Sequence, residues 1–433
     1  MNYDQAIEYL YNLNSLGWKL GLGKIKSLLK ELGNPQEKYK LVHIAGTNGK
    51  GSTSAMIESI LATAGYNTAL YTSPHLTYVG ERIKCNGIPI SKDDLVKYIE
   101  SLKPLIAKYK CTFFEAMTAI AFLYFADKKV EIAVIEVGLG GRLDATNVIN
   151  PLVTIITNIE IDHTKQLGPT RKSIAVEKAG IIKQGTICIT NCRYKGVEAI
   201  FEKTCQEQNA EHIQVDRLLK ISNLQYGEKF TTLDMAINGS VFPQLKIGLI
   251  GEHQIHNAAL AVTAADIINS RFMPIKIEDI YHGLLDVQWP GRLQTISYNP
   301  RVVIDVAHNA HGIAYLKKSI RSIYNYDRLI VVFGVCKDKN FMFMINKLAS
   351  ISDLFIAVKA NTHRGLATST ISRIARKFTP NVKKSASVAE GFAYAMESAQ
   401  KTDLILCAGS HYTVSEVMES FYQKSAPTAV KCF

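Results

Sequence analysis

A short apolar segment that runs directly into a glycine-rich loop is the feature that most restricts the fold of this chain. Residues 41–45 have the sequence LVHIA, and GTNGKGS follows at 46–52. Apolar residues then recur at helical spacing up to Gly65, and 68–71 is a second apolar segment. A strand, a glycine loop, a helix and another strand in this order form a βαβ unit. The sequence therefore predicts an α/β fold.

Further strand-like runs extend this pattern along the chain. Continuous apolar runs are typical of parallel strands that are buried on both faces. We expect a P-loop-type, mostly parallel sheet domain over residues 1–292 and a smaller Rossmann-like C-terminal domain over residues 293–433. The expected strands lie at 132–137, 153–157, 301–306, 329–333, 354–358 and 404–408, with a buried helix at 118–125 and antiparallel strands within 223–251.

The composition is that of a globular protein with more than one domain. The chain has 433 residues, of which 47% are hydrophobic and 20% charged. No apolar run approaches the roughly 20 residues that cross a bilayer, and the N-terminus lacks the features of a signal peptide. The cysteines at 85, 111, 188, 192, 205, 336, 407 and 432 include no Cys-x-x-Cys pair. We therefore expect reduced thiols and a cytoplasmic protein.

The net charge is positive and unevenly distributed. The formal charge is +12, and the residues from Tyr298 onward contain 18 Lys/Arg against 9 Asp/Glu. A basic region can bind nucleic acid, a membrane surface or an acidic small molecule. Because the sequence has neither a Lys/Arg block nor an aromatic stripe between basic residues, acidic small substrates are favoured.

The glycine loop is predicted to bind phosphate. Backbone N–H groups of such a loop converge on one anion, and the following helix adds about half a positive charge at its N-terminus. Lys50 is placed to reach the β- and γ-phosphates, and a neighbouring hydroxyl to bind Mg²⁺. The spacing departs from the usual pattern, since Ile44 replaces a glycine and Gly51 replaces a Ser or Thr. Spacing alone leaves open a plain strand-to-helix turn with a solvated lysine.

Ordered sequence blocks across nearly the whole chain resemble one protein family. GTNGKGS resembles the variant phosphate loop of the Mur ligase superfamily, and TSPHLTYVGERI resembles the Ω loop of its folylpolyglutamate synthase branch. The resemblance continues in order through FFEAMTA, EVGLGGRLDATN, NIEIDHTKQLGPTRKSIAVEKAGI, GEHQIHNAALA, WPGRL, DVAHNAHG and GVCKDKN, and ends near AGSHYTV. So many colinear blocks identify the chain as a member of this family and favour a nucleotide-binding loop.

The resemblance implies a nucleotide and metal site. Mg²⁺ binds one or two protein oxygens beside nucleotide phosphates, and α/β sheets place ligands at the carboxyl ends of their strands. The implied metal ligands are Ser52, Ser73, Glu136, His163 and Lys178. The implied ATP contacts are Thr47, Asn48, Gly49, Lys50, Gly51, Ser52, Asn257, Arg292 and Asp305. A salt-bridged Glu136, a backbone-bonded His163 and an interdomain ion pair at Arg292 are the alternatives.

Lys178 has a special role by resemblance, because it matches the family lysine that becomes a carbamate. A protonated lysine cannot ligate Mg²⁺, since it has three donors and no acceptor. A carbamate supplies two anionic oxygens, and its formation needs the neutral amine that burial or nearby positive charge favours. The alternative is a surface lysine paired with Glu177.

The acceptor substrate is assigned by resemblance to a pterin-binding region. An aromatic pair can cover a flat pteridine, and a carboxylate can accept hydrogen bonds from its N–H edge. The implied pterin residues are Thr112, Phe113, Phe114, Glu115, Leu143 and Asp144, of which Asp144 is expected on a loop that substrate can reach. Core packing is the alternative for the phenylalanines. His308, expected to be catalytic with Lys50 and Lys178, and Lys339 are candidates for handling glutamate or phosphate.

The resemblance implies an ATP- and Mg²⁺-dependent ligase of folate biosynthesis. It would add L-glutamate to dihydropteroate, to a (tetrahydro)folyl-glutamate, or to both, through an acyl phosphate. We expect a monomer whose partners are these small molecules, with no nucleic acid and no membrane. One alternative is a cell-wall Mur-type amino acid ligase, but only 40 residues precede the first strand, too few for its UDP-binding domain. Another is a nucleotide-gated binding protein, which would lack Glu136, His163 and Lys178.

Overall fold

A computed structural model describes residues 1–13 and 21–425, which divide into two compact units. The N-terminal unit contains Met1–Leu224, Thr232–Gly248 and Gln254–Gln288, and the C-terminal unit contains Gln225–Thr231, Leu249–His253 and the described residues from Trp289 onward. The helices are α1 (Tyr3–Asn12), α2 (Gly23–Glu31), α3 (Lys50–Thr63), α4 (Lys92–Tyr109), α5 (Phe113–Asp127), α6 (Thr164–Leu167), α7 (Arg171–Ala179), α8 (Lys195–Glu207), α9 (Val215–Leu218), α10 (Glu252–Arg271), α11 (Ile277–Asp286), α12 (Ala310–Ile323), α13 (Phe341–Ala349), α14 (Thr368–Ala375), α15 (Val388–Ser398) and α16 (His411–Ser425).

The N-terminal unit is built on a mostly parallel sheet. Its strands are β1 (Lys40–Ala45), β2 (Thr68–Tyr71), β3 (Ile83–Cys85), β4 (Ile88–Pro89), β5 (Ile132–Glu136), β6 (Val153–Ile156), β7 (Ile187–Thr190) and β8 (Glu211–Gln214). Their spatial order is β4-β3-β2-β5-β1-β6-β7-β8, in which the β2–β3 and β3–β4 pairs are antiparallel and the other pairs are parallel. Ile44 on β1 pairs with Glu136 on β5. The central position of β1 therefore delivers the glycine loop beside Glu136.

Apolar helices bury the faces of this sheet. Every residue of β5 and β6 is buried, as expected for strands covered on both sides. Phe122 and Phe125 of α5 are fully buried, and α5 is apolar around most of its circumference. A helix of this kind is typical of a protein interior, where hydrophobic burial is the main stabilising contribution. The predicted buried helix at 118–125 is the central part of α5.

A separate small sheet follows β8. Its strands are β9 (Lys220–Tyr226), β10 (Thr231–Ile237) and β11 (Ser240–Ile247), in the order β11-β10-β9. Buried and half-buried residues alternate along β10, so one face of this strand packs inward. Strands are therefore present in the region 223–251 where the sequence predicts them.

The C-terminal unit contains the third sheet, which has six strands. Its strands are β12 (Gln294–Tyr298), β13 (Arg301–Asp305), β14 (Leu329–Phe333), β15 (Leu354–Ala357), β16 (Val382–Lys384) and β17 (Leu404–Ala408). The order is β12-β13-β17-β14-β15-β16, with β12 antiparallel and the others parallel. Asp305 and Phe333 both pair with Ala408. The ends of β13, β14 and β17 are therefore level, with Asp305 at that edge.

The predicted fold class is confirmed: a large, mostly parallel α/β sheet precedes a smaller α/β sheet. Strands β3, β4, β7, β8, β12 and β16 are not among those expected from the sequence; the Glu-His-Ile-Gln sequence of β8 is polar because the strand lies at the sheet edge. Among the described helices, none is long and apolar enough to span a bilayer. The seven cysteines that the structure describes are free thiols, and Cys432 lies outside the described residues.

Candidate active site

The phosphate loop, residues 46–52 between β1 and α3, depends on two glycines with positive φ. Gly46 has φ 152° and Gly49 has φ 83°. A Cβ on Gly46 would lie 1.8 Å from Oγ1 of Thr157, and one on Gly49 would lie 2.3 Å from Oδ1 of Asn257. Side chains at these positions would clash, so the loop requires glycine at both.

Residues that follow β6 hold the phosphate loop in place. The Asn48 N–H donates to Oδ1 of Asn158 at 2.9 Å, and the Thr157 hydroxyl donates to the Asn48 carbonyl at 2.7 Å. The Thr47 hydroxyl donates to the Glu160 carbonyl at 3.1 Å and accepts from the Glu160 N–H at 3.0 Å. These bonds fix the loop backbone in advance of ligand, which lowers the entropic cost of binding an anion.

Two amide side chains from α10 support the loop from its helical end. Gln254 donates to the buried hydroxyl of Ser52 at 3.4 Å, and Asn257 donates to Gln254 at 2.8 Å. Asn257 is 5% exposed and lies against Gly49. The predicted ATP contact at Asn257 is thus placed at the phosphate loop.

Lys50 and Glu136 form a charged pair beside the loop. The Lys50 ammonium lies 3.8 Å from Oε1 of Glu136 and 3.5 Å from the Thr47 carbonyl. The Glu136 side chain is 4% exposed, and its Oε2 accepts from the Ser73 N–H at 3.0 Å. A nearly buried carboxylate and a partly exposed lysine thus stand together where the loop would receive phosphates.

The donor set fits a divalent cation that is shared with phosphate oxygens. Within residues 1–13 and 21–425, no three His, Cys, Asp or Glu side chains converge into a closed metal site. Mg²⁺ does not require one, since one or two carboxylates beside phosphates and waters suffice. Glu136 meets that requirement. His163 is exposed, precedes α6 with φ 50° and donates its N–H to Oδ1 of Asp162.

Lys178 is buried against the phosphate loop. It lies in the last turn of α7, is 4% exposed, and donates from Nζ to the Gly46 carbonyl at 2.7 Å. Burial lowers the Lys178 pKa to about 7, with a further contribution from the Lys50 charge, while Asp162 and Asp144 oppose the shift. The surface lysine paired with Glu177 is therefore excluded. Glu177 pairs with Arg142 instead.

Asp144 organises the glycine-rich turn after β5. It is 6% exposed, so the expectation of an open loop position is wrong. Its Oδ2 accepts from the Leu139 N–H at 2.9 Å, and its Oδ1 accepts from the Thr146 N–H at 3.0 Å and the Thr146 hydroxyl at 2.6 Å. Burial raises the Asp144 pKa, and these hydrogen bonds oppose the shift. Short-range bonds of this kind are how Asp residues shape turns.

Thr112 and Glu115 cap the N-terminus of α5. The Thr112 N–H and hydroxyl both donate to Oε2 of Glu115 at 2.8 Å, and the Glu115 N–H donates back to the Thr112 hydroxyl. This reciprocal arrangement is a capping box. Both side chains therefore have a role in the fold, and their predicted contact with a pterin is not needed to explain them.

The two phenylalanines that follow differ in their surroundings. Phe113 is 7% exposed, stacks on Tyr11 at 5.7 Å between ring centroids and lies 5.1 Å below the Arg82 guanidinium. Phe114 is half-buried, and its ring fills the space that a side chain at Gly138 would need. Core packing accounts for Phe113. Phe114 instead lies against the glycine turn that contains Asp144.

The C-terminal unit contributes a second group of candidates. Asp305 is 5% exposed and accepts from the Leu293 N–H at 2.9 Å and the Ala307 N–H at 2.7 Å. Burial raises the Asp305 pKa, while the Arg292 charge lowers it. Arg292 is half-buried, with Nη1 3.4 Å from the Gly291 carbonyl. The predicted nucleotide contacts Arg292 and Asp305 are thus neighbours.

His308 and Lys339 follow the ends of β13 and β14. His308 is half-buried, its Nδ1 lies 3.1 Å from the Val306 carbonyl, and its ring centroid is 5.2 Å from that of His411. Lys339 is half-buried in the turn after β14, next to the Asp338–Arg364 ion pair. Both lie at the strand-end edge where parallel sheets place ligands.

Several residues of the site were missed by sequence reasoning. Thr157 and Asn158 follow β6 directly, and the rule that ligand groups follow parallel strands could have found them. Gln254 lies three residues before Asn257 on one helical face, a spacing that was also available. Thr146 and His43 had no such signal, since one stands in a turn and the other inside an apolar strand.

Family models match both units. The Mur ligase middle domain matches residues 44–265, and the glutamate ligase domain of Mur ligases matches residues 291–411. These matches define the class as a Mur ligase with its glutamate ligase domain.

Relatives narrow the class. The dihydrofolate synthase/folylpolyglutamate synthase of Bacillus subtilis is 38% identical over 361 residues, which cover 81% of this chain and 83% of that protein. The Escherichia coli protein of the same name is 31% identical over 415 residues, 95% and 94% of the two chains. The structure of E. coli FolC in complex with DHPP and ADP has a TM-score of 0.90 at 29% identity and covers 98% of this chain and 99% of that one. Mycobacterium tuberculosis folylpolyglutamate synthase complexed with ADP also has a TM-score of 0.90, at 29% identity, with 97% and 99% covered.

This chain belongs to the Mur ligase family, in its folylpolyglutamate and dihydrofolate synthase branch. The preference for this branch over the cell-wall amino acid ligases is confirmed.

Proposed function

We propose that this protein is an ATP-dependent ligase that joins L-glutamate to dihydropteroate, to a (tetrahydro)folyl-glutamate, or to both. Family membership supports the reaction class. The observation that carries the assignment in this chain is the convergence of Lys50, Glu136 and Lys178 on the phosphate loop. We assign ATP binding to residues 1–292 and glutamate ligation to residues 293–433.

The phosphate loop binds and orients ATP. The backbone N–H groups of residues 49–52 are the proposed donors to the phosphates, and Lys50 neutralises charge at the γ-phosphate. Glu136, Ser52, Ser73, His163 and a carbamate on Lys178 are the proposed ligands of Mg²⁺. When bound, Mg²⁺ neutralises charge on the β- and γ-phosphates. Asn257, Arg292 and Asp305 are the proposed contacts to the rest of the nucleotide.

The reaction needs no nucleophile from the protein. The acceptor carboxylate attacks the γ-phosphorus, the bond to the β,γ-bridging oxygen breaks, and ADP leaves with an acyl phosphate formed. The glutamate amine attacks the acyl carbon, loses a proton, and expels inorganic phosphate as the amide forms. The protein contributes by holding the groups in line and neutralising charge, effects that together are large in phosphoryl transfer. His308 is the proposed group that handles the incoming glutamate or a phosphate of the nucleotide.

The direct test measures ADP release by purified protein with ATP, Mg²⁺ and glutamate. One reaction contains dihydropteroate and a second contains tetrahydrofolate. ADP release that depends on glutamate and on either acceptor supports the proposal. If ADP is released with neither dihydropteroate nor tetrahydrofolate, the proposal is contradicted. The same preparation gives the oligomeric state by light scattering. A cytoplasmic monomer without nucleic acid or membrane partners stays our prediction.

Asp144 is the proposed acceptor for the pterin N–H edge, with Phe114 and Leu143 beside the ring. Asp144→Ala is expected to raise the KM for dihydropteroate roughly 10- to 100-fold, because the pterin donors lose a carboxylate partner. The KM for ATP should stay unchanged, since Lys50 provides that contact. Steady-state kinetics with each substrate varied in turn measure both values.

Asp286→Ala, at an exposed site on α11, is the control for removal of an aspartate. Because Asp144 also binds the N–H groups of its own turn, melting temperature is recorded for each variant. Weaker ATP binding with unchanged dihydropteroate affinity would make Asp144 a structural residue and remove the pterin site.

Glutamate is the expected donor because both of its carboxylates suit a basic region. We expect L-glutamine, the neutral analogue of nearly equal size, to have at least about tenfold lower kcat/KM, since a charge-assisted hydrogen bond is lost. A donor screen by ADP release measures this. Lys339→Met should raise the KM for glutamate, whereas Lys337→Met, at an exposed site two residues away, should not. Equal use of glutamine and glutamate would contradict the donor assignment.

A further inference from the structure

His43 is a buried polar residue inside the central strand of the large sheet. It is fully buried in β1, where it pairs with Ile135 on β5 and Thr154 on β6. The rest of β1 from Leu41 onward is apolar. A polar ring in such a strand destabilises the fold unless its nitrogens are hydrogen-bonded.

A chain of hydrogen bonds joins His43 to Asp144. Nε2 of His43 lies 2.9 Å from the Thr146 hydroxyl, which donates to Oδ1 of Asp144 at 2.6 Å. The single hydroxyl hydrogen of Thr146 is used on the carboxylate, so the imidazole must donate from Nε2. Both donors of this hydrogen-bonded series, Nε2 of His43 and the Thr146 hydroxyl, therefore point toward the Asp144 carboxylate.

The other ring nitrogen of His43, Nδ1, is buried. Among the described residues it has no hydrogen-bond partner. Burial lowers the His43 pKa to about 3, so the ring is neutral at ordinary pH. An apolar side chain of similar size would avoid the buried, unbonded Nδ1. The histidine is therefore better explained by its bond to Thr146 than by the stability of β1.

We propose that His43 is a positioning residue for the acceptor substrate, which acts through Thr146 to fix the orientation of the Asp144 carboxylate. This inference rests on the proposed function, in which Asp144 contacts the pterin. Two backbone N–H groups, of Leu139 and Thr146, hold the Asp144 carboxylate, and its third donor is the Thr146 hydroxyl, which can rotate about its C–O bond. The buried ring of His43 fixes the direction of this hydroxyl, and such preorganisation of the carboxylate increases affinity.

His43→Leu removes the donor, and His43→Gln retains one near the position of Nε2. For His43→Leu we expect the KM for dihydropteroate to rise roughly five- to tenfold, the effect of one lost hydrogen bond, while the KM for ATP stays within about twofold. The melting temperature should stay equal or rise, because the buried Nδ1 is gone. His43→Gln should restore the KM for dihydropteroate toward the wild-type value.

Thr154→Val is the matched control for a change in the same part of the core. Thr154 is fully buried beside His43, and its hydroxyl has no hydrogen-bond partner among the described residues. Its loss should leave both KM values unchanged. Thr146→Val removes the hydroxyl that links His43 to Asp144. In a Thr146→Val background, His43→Leu should therefore cause no further rise in the KM for dihydropteroate, as a double-mutant cycle measures.

Wild-type turnover and the variants decide separate questions. If the wild type does not turn over dihydropteroate, the proposal of dihydropteroate as an acceptor is contradicted. The acceptor KM of the wild type and the variants is then compared with tetrahydrofolate. Given wild-type turnover, three results overturn the role of His43. These are an unchanged acceptor KM in His43→Leu, a lowered melting temperature with equal loss of ATP affinity, and an undiminished effect in the Thr146→Val background.

Discussion

Lys50→Ala is expected to lower kcat for glutamate-dependent ADP release roughly 100- to 1,000-fold, the usual effect of removing a preorganised charge from a reacting group. The Lys50 side chain is 17% exposed and its ammonium stands 3.8 Å from Glu136 at the start of α3. Its ammonium contacts the Glu136 carboxylate and the Thr47 carbonyl rather than the hydrophobic core, so the fold should persist. The loss concerns charge at the phosphates and not packing.

The measurement combines kinetics with far-UV circular dichroism and melting temperature. Lys195→Ala is the control, because Lys195 is an exposed lysine that also begins a helix of the same unit. Lys50→Arg should not restore full activity, since the guanidinium is a planar fork and the ammonium a compact point charge. A folded Lys50→Ala protein with wild-type kcat and KM for ATP would remove the loop from the mechanism.

The fold was predictable where the sequence pattern has one physical cause. Strands β1, β5 and β6 are buried on both faces, and such strands leave continuous apolar runs that are visible in the sequence. Strand β8 was not predictable, because an edge strand carries polar residues. The capping box is visible in the sequence as Thr112 followed three residues later by Glu115, and it accounts for both side chains in the fold, while their contact with a pterin stays a prediction.

The sequence predicted residues of the candidate site but not how deeply each side chain is buried. The sequence predicted Glu136 and Lys178 as metal ligands, and the structure places both side chains beside the phosphate loop, while their role at a metal stays a prediction. It placed Asp144 on an accessible loop, and the structure buries it. Burial of that side chain depends on Thr146 and Leu139 N–H groups that become its partners only when the turn closes. Local spacing does not encode such contacts.

The phosphate loop shows why the spacing of glycines alone could not decide whether this segment binds phosphate. Its glycines fit because Thr157 and Asn257, more than a hundred residues away, leave no room for side chains at Gly46 and Gly49. A missing glycine at Ile44 does not matter, because Ile44 belongs to β1 and packs in the sheet. The functional requirement therefore concerns backbone space and not the number of glycines.

The second large effect on kcat is expected for substitution of Lys178, which we propose is carbamylated. The neutral amine attacks CO₂, forms an N–C bond and releases one proton, which leaves an anionic carbamate. The unmodified ammonium is buried near Lys50, whose positive charge disfavours it. Carbamylation reverses the sign of that interaction, so repulsion from Lys50 becomes attraction. It also converts a group without acceptor atoms into a ligand that suits Mg²⁺.

Lys178→Met is therefore expected to reduce kcat at least about 100-fold, because a ligand and a negative charge are lost at the phosphates. Lys183→Met is the matched control. Lys183 is a half-buried lysine of the same region that donates to the Asn147 carbonyl at 3.2 Å and whose pKa is also lowered by burial. Since Lys183 does not contact the phosphate loop, we expect its loss to change kcat by less than about threefold.

A measurement that does not depend on turnover decides the modification. With ¹³C-bicarbonate, the wild type and Lys183→Met should show a protein-bound carbamate signal by ¹³C NMR, and Lys178→Met should show none. Because only the neutral amine reacts, and the Lys178 pKa is about 7, the signal should be larger at pH 8 than at pH 6. A wild-type protein without this signal at saturating bicarbonate excludes the carbamate. If kcat still falls in Lys178→Met, the amine itself acts, through its 2.7 Å bond to the Gly46 carbonyl at the base of the phosphate loop.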